Sequence, residues 1–257
     1  MDIRYLDVHS HIHFPEFDAD RDTVLARMKE HGVGTITIGV DLESSRRAVA
    51  FAEQHDDVWA AIGGHPHDTF GFVFNPEDFE ELVKHPKVVA VGECGLDYFR
   101  LAGDGESEKA RQKFEFQKQI DFAVKHDKPL MMHIREAHND AYEMLKPYAG
   151  KVKGNLHFFT ETAETAQKFI DLGFTVSFPG VITFARETHD AVQSISLTAM
   201  HAETDAPYAA PIPHRGKRNE PVYVIEVVKK IAELRGEDVE KVRLQLLENA
   251  RTVFGII

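Results

Sequence analysis

The sequence predicts an α/β protein built as a single, distorted (β/α)8 TIM barrel with an extra C-terminal helix. Eight short β-branched runs alternate with stretches of helical spacing, and eight parallel strands is the number that closes such a barrel. The length of 257 residues suits one barrel, and no repeat or long linker divides it, so we predict one domain over residues 1–257. An open doubly wound sheet is the alternative, but no glycine-rich phosphate loop follows the first strand.

The predicted strands are the eight β-branched runs in chain order. They span residues 4–9, 33–39, 58–63, 88–93, 129–134, 153–158, 174–178 and 199–205. The segments between them have room for the crossover connections that parallel strands require. The chain ends with two predicted helices, at residues 220–235 and 239–254.

Helix signals lie between the strands. Asn75-Pro76 supplies an N-cap and a first-turn proline for one helix. Gly32 and Gly173 lie where a residue in the left-handed conformation is expected to end a helix. The longest helix is predicted over residues 108–125. Its apolar positions include Phe114, Ile120, Phe122 and Val124.

Composition and charge exclude some classes of protein. The net charge of −12 argues against a protein that coats DNA regardless of sequence, although an enzyme can meet phosphates through bound metal ions. Cys94 is the single cysteine, which excludes an internal disulfide and suits a buried packing residue in a reducing compartment. The N-terminal residues lack the apolar core of a signal peptide, and no apolar run approaches the roughly 20 residues that span a bilayer. We therefore expect a soluble, cytoplasmic protein without membrane contact.

Histidine and carboxylate side chains end five of the predicted strands. They are His9, His11, Glu93, His133, His157 and Asp205. In a (β/α)8 barrel the carboxyl ends of the strands meet at one rim, where this fold builds its active sites. Each residue alone is more often a hydrogen-bonded loop residue or a helix cap. For all six, that interpretation would require a coincidence at every strand end.

These residue types favour a metal site. Imidazole and carboxylate together suit borderline to hard divalent ions, including zinc, manganese, nickel and magnesium. His9 and His11 share an orientation because strand side chains repeat every second residue. Glu93 is the natural bridge, since a carboxylate can bind two ions. We therefore predict two divalent ions about 3.5–4 Å apart that activate water for hydrolysis.

Six sequence blocks, in their order and spacing, resemble the TatD family of metal-dependent deoxyribonucleases. They are DVHSHIHF, IGGHPHD, VGECGLDYFR, PLMMHIREAH, HFFTETAETAQKFIDLGFTVSFPGVITF and ETDAPYAAPIPHRGKRNEP, and together they cover nearly the whole chain. The resemblance implies a distorted TIM barrel and a nuclease, commonly a 3′ to 5′ exonuclease on single-stranded DNA. The chain departs from the family at residues 157–161, HFFTE, where HCFSG is frequent, and at Cys94, where an aliphatic residue is usual.

The same resemblance implies ligand sets and catalytic roles. One ion would be bound by His9, His11, Glu93 and Asp205, and the second by Glu93, His133 and His157. Asp205 would also accept a proton from the attacking water. His65 would face the substrate and contact the scissile phosphate. Catalytic roles therefore fall on Asp205, Glu93 and His65.

Four residues are candidates for substrate binding: Arg135, His67, Arg215 and Lys217. Arg135 follows a predicted ligand by two residues, so it either holds a phosphate or pairs with Glu136. His67, like His13, is either an outer partner of the ligands or a loop-surface residue. Arg215 and Lys217 belong to the basic segment 214–220, which follows the last predicted ligand and could also be a solvated loop.

Residues 69–74 carry Phe70, Phe72 and Phe74 at alternate positions, in a loop expected at the rim. Aromatic rings in such a loop could stack on nucleobases. They could equally pack between the barrel and its helices, or form a dimer contact. The sequence leaves these alternatives open.

The leading functional hypothesis is phosphodiester hydrolysis of DNA by water that two metal ions activate. The nearest alternative is an amidohydrolase-like enzyme acting on an ester, amide or lactone, including deacylation of charged tRNA. Such enzymes often bridge their metals with a modified lysine at the fourth strand, where this chain has Glu93 and no lysine nearby. A third possibility is a non-catalytic protein that binds metal or nucleic acid for assembly.

Overall fold

The computed structural model describes residues 3–67, 73–99, 101 and 105–256, and it confirms the predicted (β/α)8 barrel. One parallel sheet runs from the first strand to the eighth in chain order, which excludes the doubly wound alternative. The strands are β1 (Tyr5–Ser10), β2 (Val33–Ile38), β3 (Val58–Ile62), β4 (Val88–Asp97), β5 (Leu130–Arg135), β6 (Gly154–Leu156), β7 (Thr175–Phe178) and β8 (Met200–Ala202). Each begins at its predicted start or one residue later.

The helices lie between the strands and at the end of the chain. They are α1 (Arg21–His31), α2 (Leu42–Glu53), α3 (Pro76–Phe79), α4 (Glu106–Lys125), α5 (His138–Leu145), α6 (Ala163–Asp171), α7 (His189–Ser194), α8 (Val224–Arg235) and α9 (Val239–Phe254). Gly32 ends α1 with a φ of 67°, as its position predicts. The helix after Asn75 is only four residues long, and the Asn75 side chain makes no capping hydrogen bond. Within the described residues, no helix is both long enough and apolar enough to cross a membrane.

The barrel closes through a short seam between β1 and the segment after β8. Ser10 and Ala206 form an isolated parallel bridge there. The His11 backbone N–H donates to the Ala206 carbonyl at 2.7 Å, and the Asp205 N–H donates to the His9 carbonyl at 2.8 Å. The seam therefore sets the relative positions of three predicted ligands through their own backbones.

Strand β4 is longer than predicted, because it continues past Glu93 to Asp97. Gly92 and Gly95 make this possible: their φ angles are 155° and 134°, which L side chains rarely adopt. A Cβ at either position would lie 2.2 Å from a carbonyl oxygen of β5. The two glycines thus allow β4 to pass close against β5, on either side of the predicted bridging carboxylate.

An apolar cluster, called here the base cluster, fills one end of the barrel. Its buried members are Leu6, Val8, Ile36, Ile38, Ala61, Val89, Ala90, Met131, Leu247, Ala250, Phe254 and Ile256. They come from β1 to β5, from α9 and from the residues after α9. A helix on the outside of the barrel could not contact five strands at once, so α9 lies across one end. Leu6, Val89 and Met131 are each the second residue of their strand, so they lie at the end of the barrel opposite the rim, whereas Ile38 ends β2. Helix α9 therefore closes the base of the barrel.

The strands β6 to β8 contribute polar side chains to the interior instead. We call His201, Thr175, Asn155, Ser177 and Glu203 the polar column; all five are buried. The Thr175 hydroxyl lies 3.1 Å from His201 Nε2 and donates to Asn155 Oδ1 at 3.3 Å. Asn155 Nδ2 donates to Ser177 Oγ at 2.7 Å, and the Ser177 hydroxyl donates to Glu203 Oε2. Each of the five side chains therefore has a partner within the column, although His201 Nδ1 has none among the described residues.

Two expectations about apolar residues are only partly met. Ile120 and Phe122 of α4 are buried, but Phe114 is 64% exposed, because α4 turns Phe116 toward the barrel instead. Phe74 is fully buried, and its ring stacks on Phe79 with centroids 4.6 Å apart. Phe74 is thus a core residue, whereas Phe70 and Phe72 lie outside the described residues.

Candidate metal centre

Four of the predicted ligands form a first group beside the seam. His9 Nε2 lies 3.5 Å from Glu93 Oε2 and 3.7 Å from Asp205 Oδ1. His11 Nε2 lies 3.8 Å and 3.4 Å from the same two oxygens. Most of these separations exceed hydrogen-bond length, so the four donors surround a common point rather than pairing with one another.

The remaining ligands form a second group on the other side of Glu93. His157 Nε2 lies 2.9 Å and His133 Nδ1 lies 3.2 Å from Glu93 Oε1. The two imidazole nitrogens are 3.1 Å apart. Glu93 is therefore divided between the groups, with Oε2 facing the first histidine pair and Oε1 facing the second. The structure brings all six predicted ligands together.

The donors in this cluster fit a divalent cation. Among the described residues, three sets of donor atoms could each hold an ion, with the atoms of a set within 4.8 Å of one another. The sets are His9, His11 and Glu93; His9, His157 and Asp205; and His65, Glu93 and His133. Both ring nitrogens of His9 are buried without a hydrogen-bond partner among the described residues, although buried polar atoms are normally paired. Its Nε2 points between two carboxylates, where a cation would satisfy all three groups. Imidazole and carboxylate donors match zinc, manganese or magnesium.

Side chains behind the two groups fix the imidazole rings in different ways. His11 Nδ1 lies 2.9 Å from the Ile38 carbonyl oxygen, a neutral partner. His133 Nε2 lies 2.9 Å from Asp97 Oδ2, a carboxylate. Partners of this kind set the tautomer and raise the basicity of a metal-binding imidazole. The second group thus has carboxylate support that His11 lacks.

Glu203 supports the other histidine of the second group. Its Oε1 lies 3.5 Å from His157 Nδ1 and accepts the Phe158 backbone N–H at 2.6 Å. Its Oε2 accepts the Ser177 hydroxyl. Both oxygens are engaged and the side chain is fully buried, so Glu203 is fixed in place at the upper end of the polar column.

Three acids that position the cluster are missing from the sequence prediction: Asp7, Asp97 and Glu203. Asp7 accepts hydrogen bonds from the backbone N–H and hydroxyl of Thr204, at 2.8 Å and 2.5 Å, and burial raises its pKa well above the usual range. Each of the three acids is an even number of residues away from a predicted ligand. That spacing is typical of one face of a strand, and it could have identified the three acids from the sequence.

The charges of the cluster shift the pKa values of its members in the direction opposite to the effect of burial. Burial alone would raise the pKa of Glu93, but the surrounding histidines, His157 first, hold it well below its usual range. Burial would lower the pKa of His157, but Glu93 and Glu203 raise it well above 6.5. The centre therefore attracts positive charge although it is buried.

His65 differs from the six ligands. Its Nδ1 accepts the His67 backbone N–H at 3.0 Å, and burial lowers its pKa to about 3. The neutral ring therefore carries its proton on Nε2, which lies 3.4 Å from Glu93 Oε1. A protonated nitrogen donates a hydrogen bond, although His65 also belongs to the donor set with Glu93 and His133. His65 is thus placed as a donor beside the cluster.

A cavity of about 1070 Å³ opens over the cluster. Arg135 and His67 line it, as predicted for substrate contacts. The Arg135 guanidinium lies 3.6 Å from the centroid of the Phe99 ring, and no ion pair with Glu136 occurs among the described residues. His13 is not a loop-surface residue: it is buried, with Nδ1 2.7 Å from the Thr37 hydroxyl.

The basic segment 214–220 lies apart from this cavity. Neither Arg215 nor Lys217 is among the described residues that line it, and Arg215 stacks on Phe184 at 4.1 Å. Arg218 pairs with Asp20 at 2.7 Å, which makes it a structural residue. Cys94, next to Glu93 in β4, is fully buried, and burial raises the pKa of its thiol, as expected for a packing residue.

A (β/α)8 barrel with two histidine groups sharing one carboxylate at its rim defines a metal-dependent hydrolase. The profile of the family described as TatD related DNase matches residues 6–255. The chain therefore belongs to the TatD family.

Individual relatives agree with this assignment. An uncharacterized metal-dependent hydrolase, YabD, of Bacillus subtilis is 37% identical over 97% of this chain and 98% of its own length. The 3′-5′ ssDNA/RNA exonuclease TatD of Klebsiella pneumoniae is 33% identical over 97% of each chain. The crystal structure of YjjV, a TatD homologue of Escherichia coli, superposes with a TM-score of 0.91 at 30% identity, covering 100% of both chains.

Proposed function

We propose that this enzyme hydrolyses phosphodiester bonds of DNA, as a 3′ to 5′ exonuclease on single-stranded DNA that uses two divalent ions. The division of Glu93 between two histidine pairs carries the proposal, because a carboxylate bridge suits two-ion cleavage of a phosphodiester. Relatives named 3′-5′ ssDNA/RNA exonuclease support this substrate class. With its single cysteine buried and free, we expect the enzyme to act in the cytoplasm.

The first ion would be held by His9, His11, Glu93 and Asp205, and the second by Glu93, His133 and His157. Magnesium, manganese or zinc suits these donors. When bound, the two ions stabilise the charge that develops on the phosphoryl group and lower the pKa of water.

The remaining chemistry belongs to the side chains around the ions. Asp205 faces both histidines of the first group through Oδ1, which leaves its other oxygen to accept the proton of the attacking water. His65 donates from Nε2 to a non-bridging oxygen of the phosphate. Arg135, held on Phe99, and His67 bind the adjoining backbone. Arg215 and Lys217 would contact only a strand that extends beyond the cavity.

The test is cleavage of an end-labelled single-stranded oligonucleotide by metal-stripped protein, with magnesium, manganese or zinc added back separately. We expect a metal-dependent ladder that shortens from the 3′ end. Glu93→Gln should lower kcat/KM by roughly 10³-fold or more, because it removes the charge shared by both ions. The exposed Glu240→Gln variant is the matched control. Full activity of Glu93→Gln, or no cleavage by the metal-loaded wild type, would refute the proposal.

A second candidate, deacylation of an aminoacyl ester such as charged tRNA, has one specific observation in its favour. Asp41, Glu136 and Glu161 line the same cavity, and carboxylates suit the ammonium group of an aminoacyl ester better than a phosphate. Assaying aminoacyl esters beside DNA separates the two. Ester turnover without DNA cleavage would promote this candidate over the nuclease.

A further inference from the structure

Two aromatic rings stand beside the first group of ligands, and nothing described so far uses them. Each follows a ligand by three residues: Phe14 follows His11, and Tyr208 follows Asp205. The Phe14 ring stacks on the His11 imidazole with centroids 4.6 Å apart, and the Tyr208 ring meets the same imidazole edge-on at 6.2 Å. Both rings line the cavity over the metal centre.

The backbones that carry these rings are fixed. The Phe14 N–H donates to the His11 carbonyl at 2.8 Å, and the Tyr208 N–H donates to the Asp205 carbonyl at 2.8 Å. The fully buried Asn219 donates to the Tyr208 carbonyl at 2.6 Å. Tyr208 is nevertheless 50% exposed. An exposed aromatic side chain on a rigid backbone loses little conformational freedom when a flat ligand stacks on it.

The chemistry of the rings favours a flat, uncharged occupant. Phe14 and Tyr208 present aromatic surfaces to the cavity and carry no cationic group that could pair with a phosphate. A nucleobase has the flat π face that stacks on such rings. The backbone phosphate belongs at the cations of the centre, and the attached base reaches the rings next to it.

We propose that Phe14 and Tyr208 form a stacking subsite for an unpaired nucleobase adjacent to the phosphate that is cleaved. The inference rests on the proposed function and deepens it, because it gives a physical reason for single-strand preference. A base in a duplex already stacks on its neighbours and would have to leave them to reach the rings. Stacking on an aromatic ring is tolerant of base identity, so the subsite selects strandedness rather than sequence.

The experiment compares an intact single-stranded oligonucleotide with one that lacks the bases of its 3′-terminal nucleotides, using the metal-loaded enzyme. For the wild type, we expect removal of the bases to raise KM by about 5- to 100-fold while kcat changes little. In the Phe14→Ala, Tyr208→Ala double variant, the two substrates should have similar KM values. Tyr208→Phe should behave as wild type, because the ring is retained.

Phe114→Ala is the matched control, since Phe114 is an exposed aromatic residue of α4 that does not line the cavity. Its KM values should match those of the wild type. The subsite is refuted if the double variant keeps the wild-type difference between intact and abasic substrates, or if Phe114→Ala removes it equally. It is also refuted if the double variant raises KM for an apolar acyl ester but leaves KM for DNA independent of the bases, as in the wild type.

A substrate without any base separates this inference from the proposed function. An oligonucleotide made entirely of stable abasic nucleotides contains phosphodiesters and no aromatic ring, so the metal-loaded wild type should cleave it with a raised KM. Cleavage of that strand with the same KM as the intact strand would refute only the subsite. If the metal-loaded wild type cleaves neither strand, the proposed function itself fails.

Discussion

Two buried histidines inside the same barrel have pKa values that are shifted in opposite directions. His157, at the rim, has a pKa raised well above 6.5: burial would lower it, but Glu93 and Glu203 outweigh that effect. His201, near the base, has the Thr175 hydroxyl beside its Nε2 and the Phe254 ring at 5.5 Å. Burial lowers its pKa to about 3, and no carboxylate of the described residues offsets that effect. Burial is common to both, so the neighbouring carboxylates decide the difference.

The polar column connects these two environments. It runs from His201 through Thr175, Asn155 and Ser177 to Glu203, behind the second group of ligands. One end meets α9 and its apolar side chains, and the other meets the candidate metal centre. Apolar packing therefore lies at the base of the barrel, and the candidate metal ligands lie at the rim. The carboxylates that favour cation binding are found at the rim.

The largest expected effect comes from Gly95→Ala, a substitution at the rim that leaves the base of the barrel unchanged. The new Cβ would lie 2.2 Å from the His133 carbonyl oxygen, at a φ of 134°. We expect a loss of roughly 2–5 kcal/mol in the free energy of unfolding, together with weakened zinc binding. Urea denaturation and zinc titration calorimetry measure the two effects.

Gly150→Ala provides the matched control for that variant. Gly150 has a φ of 73° but no atom within 4 Å of an added Cβ, so its substitution should cost only about 1–2 kcal/mol. Zinc binding should not change. Equal losses for the two variants would show that backbone strain, rather than the close contact between β4 and β5, explains Gly95.

Glu203→Gln should have an intermediate effect and removes one of the carboxylates that distinguish the rim. We expect zinc affinity at the second group to fall about 10- to 100-fold, because His157 loses the charged partner behind it. Asp97→Asn, behind His133, should act on the same group to a similar degree. Calorimetric titration should retain the binding step of the first group in both variants. An unchanged isotherm for Glu203→Gln would contradict this role.

His201→Gln tests the base, and at neutral pH it has the smallest expected effect. In the folded protein the pKa of His201 is about 3 and its ordinary value is 6.5, so the unfolded chain takes up the proton first. The contribution of neutral His201 to stability is thus complete above pH 6.5 and is lost as the pH falls toward 3.

The measurement is the free energy of unfolding of the metal-stripped protein across this pH range. His201→Gln should reduce its slope by up to about 1.4 kcal/mol per pH unit, while replacement of the exposed His31 by Gln should not. An identical slope for His201→Gln and wild type would show that His201 does not remain neutral in the fold.

Much of the fold and of the rim follows from local sequence patterns. The strand starts and the six residues gathered at the rim were predictable because the carboxyl ends of parallel strands converge. The extension of β4 to Asp97 was not, since it depends on Gly92 and Gly95 meeting β5, a contact between distant parts of the chain. The burial of Phe74 and the exposure of Phe114 likewise depend on how a loop and a helix lie on the barrel.

Electrostatic roles were the hardest to predict. Arg218 looked like part of a basic surface, but its partner Asp20 lies far away in sequence. Glu203 and His201 are separated by one residue in the chain, yet one supports the rim and the other packs at the base. The two-residue repeat of strand side chains places both inside the barrel. Their positions along the barrel axis decide what each side chain contacts.

The seam has a consequence for how the enzyme is made. The first group needs His9, near the start of the chain, and Asp205, which follows the last strand. Because proteins are synthesised from the amino terminus, His9 leaves the ribosome long before Asp205 does. A nascent chain therefore holds no complete first group until most of it has been translated.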